Sequence, residues 1–79
     1  MQQIIESNYE SIVKRGLINE KTTLKDFLNK LDEEVMEFKE DNRIEELADI
    51  ILVCLNIARH YGIDIENELI KKIQINNNR

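Results

Sequence analysis

Four acidic side chains stand out from the rest of this 79-residue chain by where they fall on a helical period. At about 100° per residue, Glu34 lies roughly 60° from Leu31 and roughly 40° from Phe38, on the border of an apolar stripe. Glu37 follows about 60° further on the same side, whereas Glu33 points away from the stripe. On the next helical segment, Glu46, Asp49, Asn56 and His60 fall within about 80° of one another. They form a polar stripe, shared with Val53, on a segment that is otherwise apolar. Facing carboxylates repel, and burial without partners penalises their charge. A hard divalent cation removes both penalties, and Mg²⁺ takes carboxylate and water oxygens while bridging protein to phosphate. Glu34, Glu37, Glu46 and Asp49 are therefore candidate metal ligands.

One E-x-x-E in a chain with 34% charged residues reads most simply as a solvated helix face. It is the pairing of Glu34 and Glu37 with Glu46 and Asp49, on a more apolar helix, that favours a metal or phosphate site. Asn56 is either a satisfied core amide or a ligand contact. His60, near a helix end, reads as a surface or capping residue before it reads as a ligand. A carboxylate-bridged di-iron centre is disfavoured, since Ile57 rather than a glutamate stands three residues before His60.

The elements that must position these residues are all helical. There is no proline, and the only two glycines fall where helices should stop. A first helix is expected over about residues 3–15, with Ile4, Ile5, Tyr9, Ile12 and Val13 at helical spacing and Gly16 closing it. A second starts after Thr22 or Thr23 and carries Leu24, Phe27, Leu28, Leu31, Val35 and Phe38 to about residue 41. Asn42 with Glu45 has the pattern of a capping box for a third helix, which runs to about Tyr61 and stops at Gly62. Asp64 caps a fourth helix through about residue 75, with Ile65, Leu69, Ile70 and Ile73 inward. Short connections favour antiparallel neighbours, hence one all-α domain over residues 1–79, an antiparallel four-helix bundle. The third helix is apolar nearly all round, so a homodimer or larger assembly through the central helices is expected.

Bulk properties narrow the function. A net charge of −5 argues against a nucleic-acid polymer as partner, which needs a basic face. No segment reads as a signal peptide or membrane span, and the single Cys54 in an apolar run reads as a small core hydrophobe of a reduced, cytoplasmic protein. Lys72, Asn76 and Arg79 lie at i, i+4 and i+7, one helical face that suits phosphate oxygens; alternatively they belong to a fraying C-terminal turn.

The stretch 30–37 (KLDEEVME) followed by 46–53 (ELADIILV) resembles the paired E-x-x-E and E-x-x-D motifs of the MazG-like, all-α nucleoside triphosphate pyrophosphatases. Residues 56–64 (NIARHYGID) and 72–79 (KIQINNNR) are also similar, and 13–18 (VKRGLI) with Thr22 and Thr23 is similar to small phage and Gram-positive members. The resemblance implies that Glu34, Glu37, Glu46 and Asp49 are catalytic and bind Mg²⁺, with Mn²⁺ as a substitute. It implies cleavage of a nucleoside triphosphate between the α and β phosphates, Glu37 or Glu34 serving as base. Lys72, Asn76 and Arg79 would contact phosphate and Asn56 the sugar or base. It also implies a dimer, or a tetramer of dimers, in the cytoplasm (the host's, if phage-encoded). Against many members, the segment 38–45 is short and the chain stops at Arg79. Alternatives are a phosphoribosyl-ATP pyrophosphatase, a dUTP- or dCTP-selective hydrolase, and a non-catalytic helical interaction module on the same scaffold.

Overall fold

A computed structural model describes residues 1–79, in which the chain forms four α-helices and no strand: α1 (Gln2–Lys14), α2 (Leu24–Asp41), α3 (Ile44–His60) and α4 (Ile65–Asn77). The helix ends follow local chemistry. Gly16 and Gly62 both have positive φ, 75° and 65°. Each closes its helix with a Schellman pair: Leu17 N–H to Ile12 O with Gly16 N–H to Val13 O, and Ile63 N–H to Ala58 O with Gly62 N–H to Arg59 O. Thr23 caps α2 in a reciprocal box with Asp26, the Thr23 hydroxyl accepting from Asp26 N–H and the Asp26 carboxylate from Thr23 N–H. Asp64 caps α4 by accepting from Asn67 N–H.

Asn42 departs from expectation. It ends α2 instead of starting α3, adopting the left-handed conformation at φ 57° and donating its side-chain amide to Phe38 O and Lys39 O. Asn tolerates this conformation better than other non-glycine residues, and a two-residue connection leaves the N-cap to Arg43, which makes no side-chain cap bond. The Asn42–Glu45 box therefore does not form. Glu45 instead pairs with Arg43 at 3.6 Å.

α2 and α3 form the main antiparallel pair, and α1 packs on α3. The core consists of Ile5, Ile18, Phe27, Val53, Leu55 and Ala58. His60 knits three parts of the chain together. Its Nε2 donates to Thr22 O at 2.9 Å, which leaves Nδ1 to accept from the Tyr9 hydroxyl at 2.8 Å. The ring also packs edge-on to Phe27 and Tyr61, at 4.9 Å each. A histidine bonded through both ring nitrogens is here a structural tie rather than a free surface group.

α4 breaks the expected inward pattern. Beyond the Gly62 turn only Ile65 is half-buried, whereas Leu69, Ile70 and Ile73 are exposed. α4 packs along none of the other helices. Cys54 is likewise exposed and not a core residue. It shares an uncovered face of α3 with Ile44, Leu47 and Ile51.

Candidate metal centre and adjoining cleft

The α2–α3 pairing brings the two acidic motifs face to face. One carboxylate oxygen from each of Glu34, Glu46 and Asp49 lies within 4.8 Å of the other two. Glu34 and Glu46 are buried, at 7% exposure each, and Asp49 is exposed. Both buried glutamates are satisfied on one side only. Glu34 Oε1 pairs with Lys30 Nζ at 3.1 Å, and Glu46 Oε1 with Arg43 at 3.2 Å. The Oε2 atoms of Glu34 and Glu46 are fully occluded and have no hydrogen-bond partner. An occluded, unpartnered carboxylate oxygen costs about 1–3 kcal/mol or more, so two of them on neighbouring members of one cluster require an explanation.

A divalent cation fits this donor set. All the donors are hard oxygens, and oxygens sharing one Mg²⁺ stand about 3–4 Å apart, close to the spacing found. Glu37 sits at the exposed edge of the cluster. Its pKa is raised above the ordinary 4.5, first by a hydrogen bond to Glu34 available to its protonated form, then by the charge of Glu34, with Glu46 adding to it. It borders the trio without joining it. Lys30 is held in its charged form by its hydrogen bond to Glu34, and Arg43 by the charges of Asp41 and Glu45 and its bond to Glu46.

A cleft of about 460 Å³ opens from this cluster toward α1. Glu34, Asp49 and Lys30 lie at one end, and Asn8, Asn56 and apolar side chains that include Phe27 line the rest. Asn56 is buried, and its Oδ1 accepts from Asn8 Nδ2 at 2.8 Å. A larger concavity, about 650 Å³, lies where the start of α1 meets the α3–α4 junction, and none of the clustered carboxylates lines it. The smaller cleft is the one that adjoins the acidic cluster, since Glu34 and Asp49 line it.

Of the residues expected at a site, Glu34, Asp49 and Asn56 thus line one cleft, Glu46 joins Glu34 and Asp49 in the acidic cluster without lining it, and Glu37 lies at the edge of that cluster. Lys72, Asn76 and Arg79 stand on the projecting α4 or just beyond it and line neither concavity. Asn8, Arg15 and Lys30 line the cleft and were not foreseen. For Asn8 a signal existed. It stands four residues before Ile12 and three after Ile5, so it is a polar residue inside the apolar stripe of α1.

The MazG-like family matches residues 17–79 of the chain. No curated protein and no solved structure matches it.

Proposed function

The chain belongs to the MazG-like family, and from that premise we propose that it is a Mg²⁺-dependent pyrophosphohydrolase that cleaves a nucleoside triphosphate to the monophosphate and pyrophosphate. The observation that carries this reading is the pair of occluded, unpartnered Oε2 atoms on Glu34 and Glu46 beside Asp49. Glu34, Glu46 and Asp49, with Glu37 at the margin, would hold Mg²⁺ or Mn²⁺. The bound ion would polarise phosphate oxygens and make water more acidic.

The chain's own residues supply the rest. Lys30 and Arg15 bring positive charge to the cleft, whose other charged groups, Asp26, Glu34 and Asp49, are acids that repel a polyphosphate. Glu37 is exposed and has a raised pKa, which suits a group that takes the proton of the attacking water on a carboxylate oxygen. The water oxygen bonds to the α-phosphorus. The bond from that phosphorus to the α–β bridging oxygen breaks, and pyrophosphate leaves with the electron pair. Asn56 lies two turns along α3 from Asp49 and contacts the nucleoside.

The active unit in this reading is a homo-oligomer. α4 finds no cover within one chain, so Lys72, Asn76 and Arg79 would meet substrate phosphates only when a second copy is docked. No helix is long and apolar enough to cross a membrane, and the substrate would be the nucleotide pool of the cytoplasm. A panel of ribo- and deoxyribonucleoside triphosphates with Mg²⁺, resolved by product, tests the reaction. Monophosphate plus pyrophosphate is expected. Diphosphate plus phosphate, or no turnover of any nucleotide, would sink it.

A further inference from the structure

We propose that Asn8 is a positioning residue that fixes which end of the Asn56 amide faces the cleft, and so makes the site select nucleotides whose base edge carries a carbonyl over those carrying an amino group. The proposal rests on the nucleotide reading above and deepens it.

Asn56 is nine-tenths buried, and its Oδ1 is occupied by Asn8 Nδ2 at 2.8 Å. The amino group of Asn56 has no acceptor in the chain, yet it is not among the occluded, unpartnered side-chain atoms, which are the Glu34 and Glu46 Oε2 atoms alone. Since Asn56 lines the cleft, that amino group opens into it as a donor. A primary amide can present either a donor or an acceptor, and a half-turn exchanges them. Here the exchange is blocked as long as Asn8 presents its own donor.

The location fits the base. Asp49 and Asn56 are seven residues apart on one face of α3, which is about 10 Å at 1.5 Å per residue. That is the order of the distance between the α-phosphate of a nucleotide and the edge of its base. Phe27, Ile18 and Ile12 line the same cleft, as a planar base requires. A donor aimed at the base edge is satisfied by a keto group and left unpaired by an amino group. Sites built around one hydrogen bond discriminate strongly because the wrong partner leaves buried polar groups unpaired.

The test compares kcat/KM for two matched pairs, dUTP against dCTP and dITP against dATP, in the wild-type protein, Asn8→Ala and Asn8→Asp. Wild type should favour the keto member of each pair by about tenfold or more. Asn8→Ala frees the amide and should bring the ratio toward one. Asn8→Asp offers only acceptors, so the Asn56 amide turns to donate to it and presents Oδ1 to the cleft, and the preference should invert. The added negative charge weakens all four triphosphates alike and cancels in each ratio. Ratios that stay the same in both variants, whatever happens to rate or thermal midpoint, would reduce Asn8 to a packing residue and overturn the proposal; so would a wild type with no keto preference. If nothing is hydrolysed, the same ratios are read as dissociation constants for the α,β-imido analogues with Ca²⁺. A keto preference that Asn8→Asp inverts then upholds the role of Asn8 while the hydrolase reading falls. Absence of that preference overturns the role as well.

Discussion

Glu34 and Glu46 each hold one carboxylate oxygen against the cationic side chain of Lys30 or Arg43 and leave the other occluded, and this asymmetry is what favours the proposed metal site over a chance cluster of acids. The partners Lys30 and Arg43 are more than half exposed, and ion pairs of that kind contribute about 0–1 kcal/mol. The orphaned oxygens cost more than that. In metal-free protein, Glu46→Gln should therefore raise stability, by about 1 kcal/mol in a urea titration. Adding Mg²⁺ should stabilise the wild-type chain, by about 2.7 kcal/mol at a hundred times its Kd, and leave the variant unmoved. Hydrolysis should fall at least about a hundredfold in the variant, since even outer-shell changes at metal sites reduce activity by 10–100-fold. Equal Mg²⁺ responses in the two proteins would remove Glu46 from the site. Glu37 gives a second, pH-dependent signature. Its folded-state pKa lies above the ordinary 4.5, so the folded chain binds the proton more tightly than the unfolded one. Its stabilising contribution is complete below 4.5 and disappears as pH rises through the folded value, the reverse of a salt-bridged carboxylate. Metal-free wild type should lose denaturant resistance over that window relative to Glu37→Gln. Parallel pH profiles for the two would show that Glu37 does not feel the cluster.

Where helices begin and end was legible in the chain because the controlling chemistry is local. Gly16 and Gly62 supply the positive φ that a Schellman close needs, and Thr23 and Asp64 supply acceptors for free N–H groups. Asn42 misled because one residue type serves both as N-cap and as left-handed C-cap, and only the two-residue length of the connection decides between them. Asn8 and Tyr9 were not legible as partners of Asn56 and His60, since 48 and 51 residues separate them and nothing but tertiary packing joins them. The polar stripe on α3 consequently has two explanations. Its first half, Glu46 and Asp49, faces the acids of α2, and its second half, Asn56 and His60, is tied to α1. At the scale of a single element, the Thr23–Asp26 box offers a clean measurement. Thr23→Ala removes an acceptor at an exposed cap far in sequence from the acids, and should lower stability by about 1 kcal/mol. In a chain this short that is about 4–8 °C in Tm. kcat/KM for the preferred nucleotide should stay within about twofold. A drop in activity without a drop in Tm would mean that the start of α2 shapes the cleft directly, as the presence of Asp26 and Thr22 in its lining allows.

The whole chain is more open than a compact monomer of its size. A compact monomer of 9.4 kDa exposes about 5,000 Å² of surface, whereas this one exposes 6187 Å². Its radius of gyration is 13.8 Å, against about 11.6 Å for a compact chain of the same length. Only nine residues are buried, and a core that small seldom stabilises a domain alone. The excess surface, about 1,200 Å², exceeds the roughly 800 Å² that each partner contributes to a standard interface. It also has the right character. Ile44, Leu47, Ile51 and Cys54 follow a 3–4–3 spacing along one face of α3, the seam of helices that pack side by side, and Leu24 and Leu28 lie uncovered on α2. The apolar row on α4, Leu69, Ile70 and Ile73, is equally uncovered. Association that covers these rows would bring α4, with Lys72, Asn76 and Arg79, under the control of a second copy. Light scattering at micromolar concentration should then give at least twice 9.4 kDa for the wild-type chain. Ile51→Glu, a charge in the middle of the α3 row, should shift it to monomer and lower Tm, because little of the stability resides in one chain. Lys72→Ala and Arg79→Ala should leave the assembly intact and raise KM for the triphosphate. A wild-type chain that runs as a stable 9.4 kDa monomer, with Ile51→Glu indistinguishable from it in Tm, would overturn the oligomeric reading and leave the tail row as a solvated helix end.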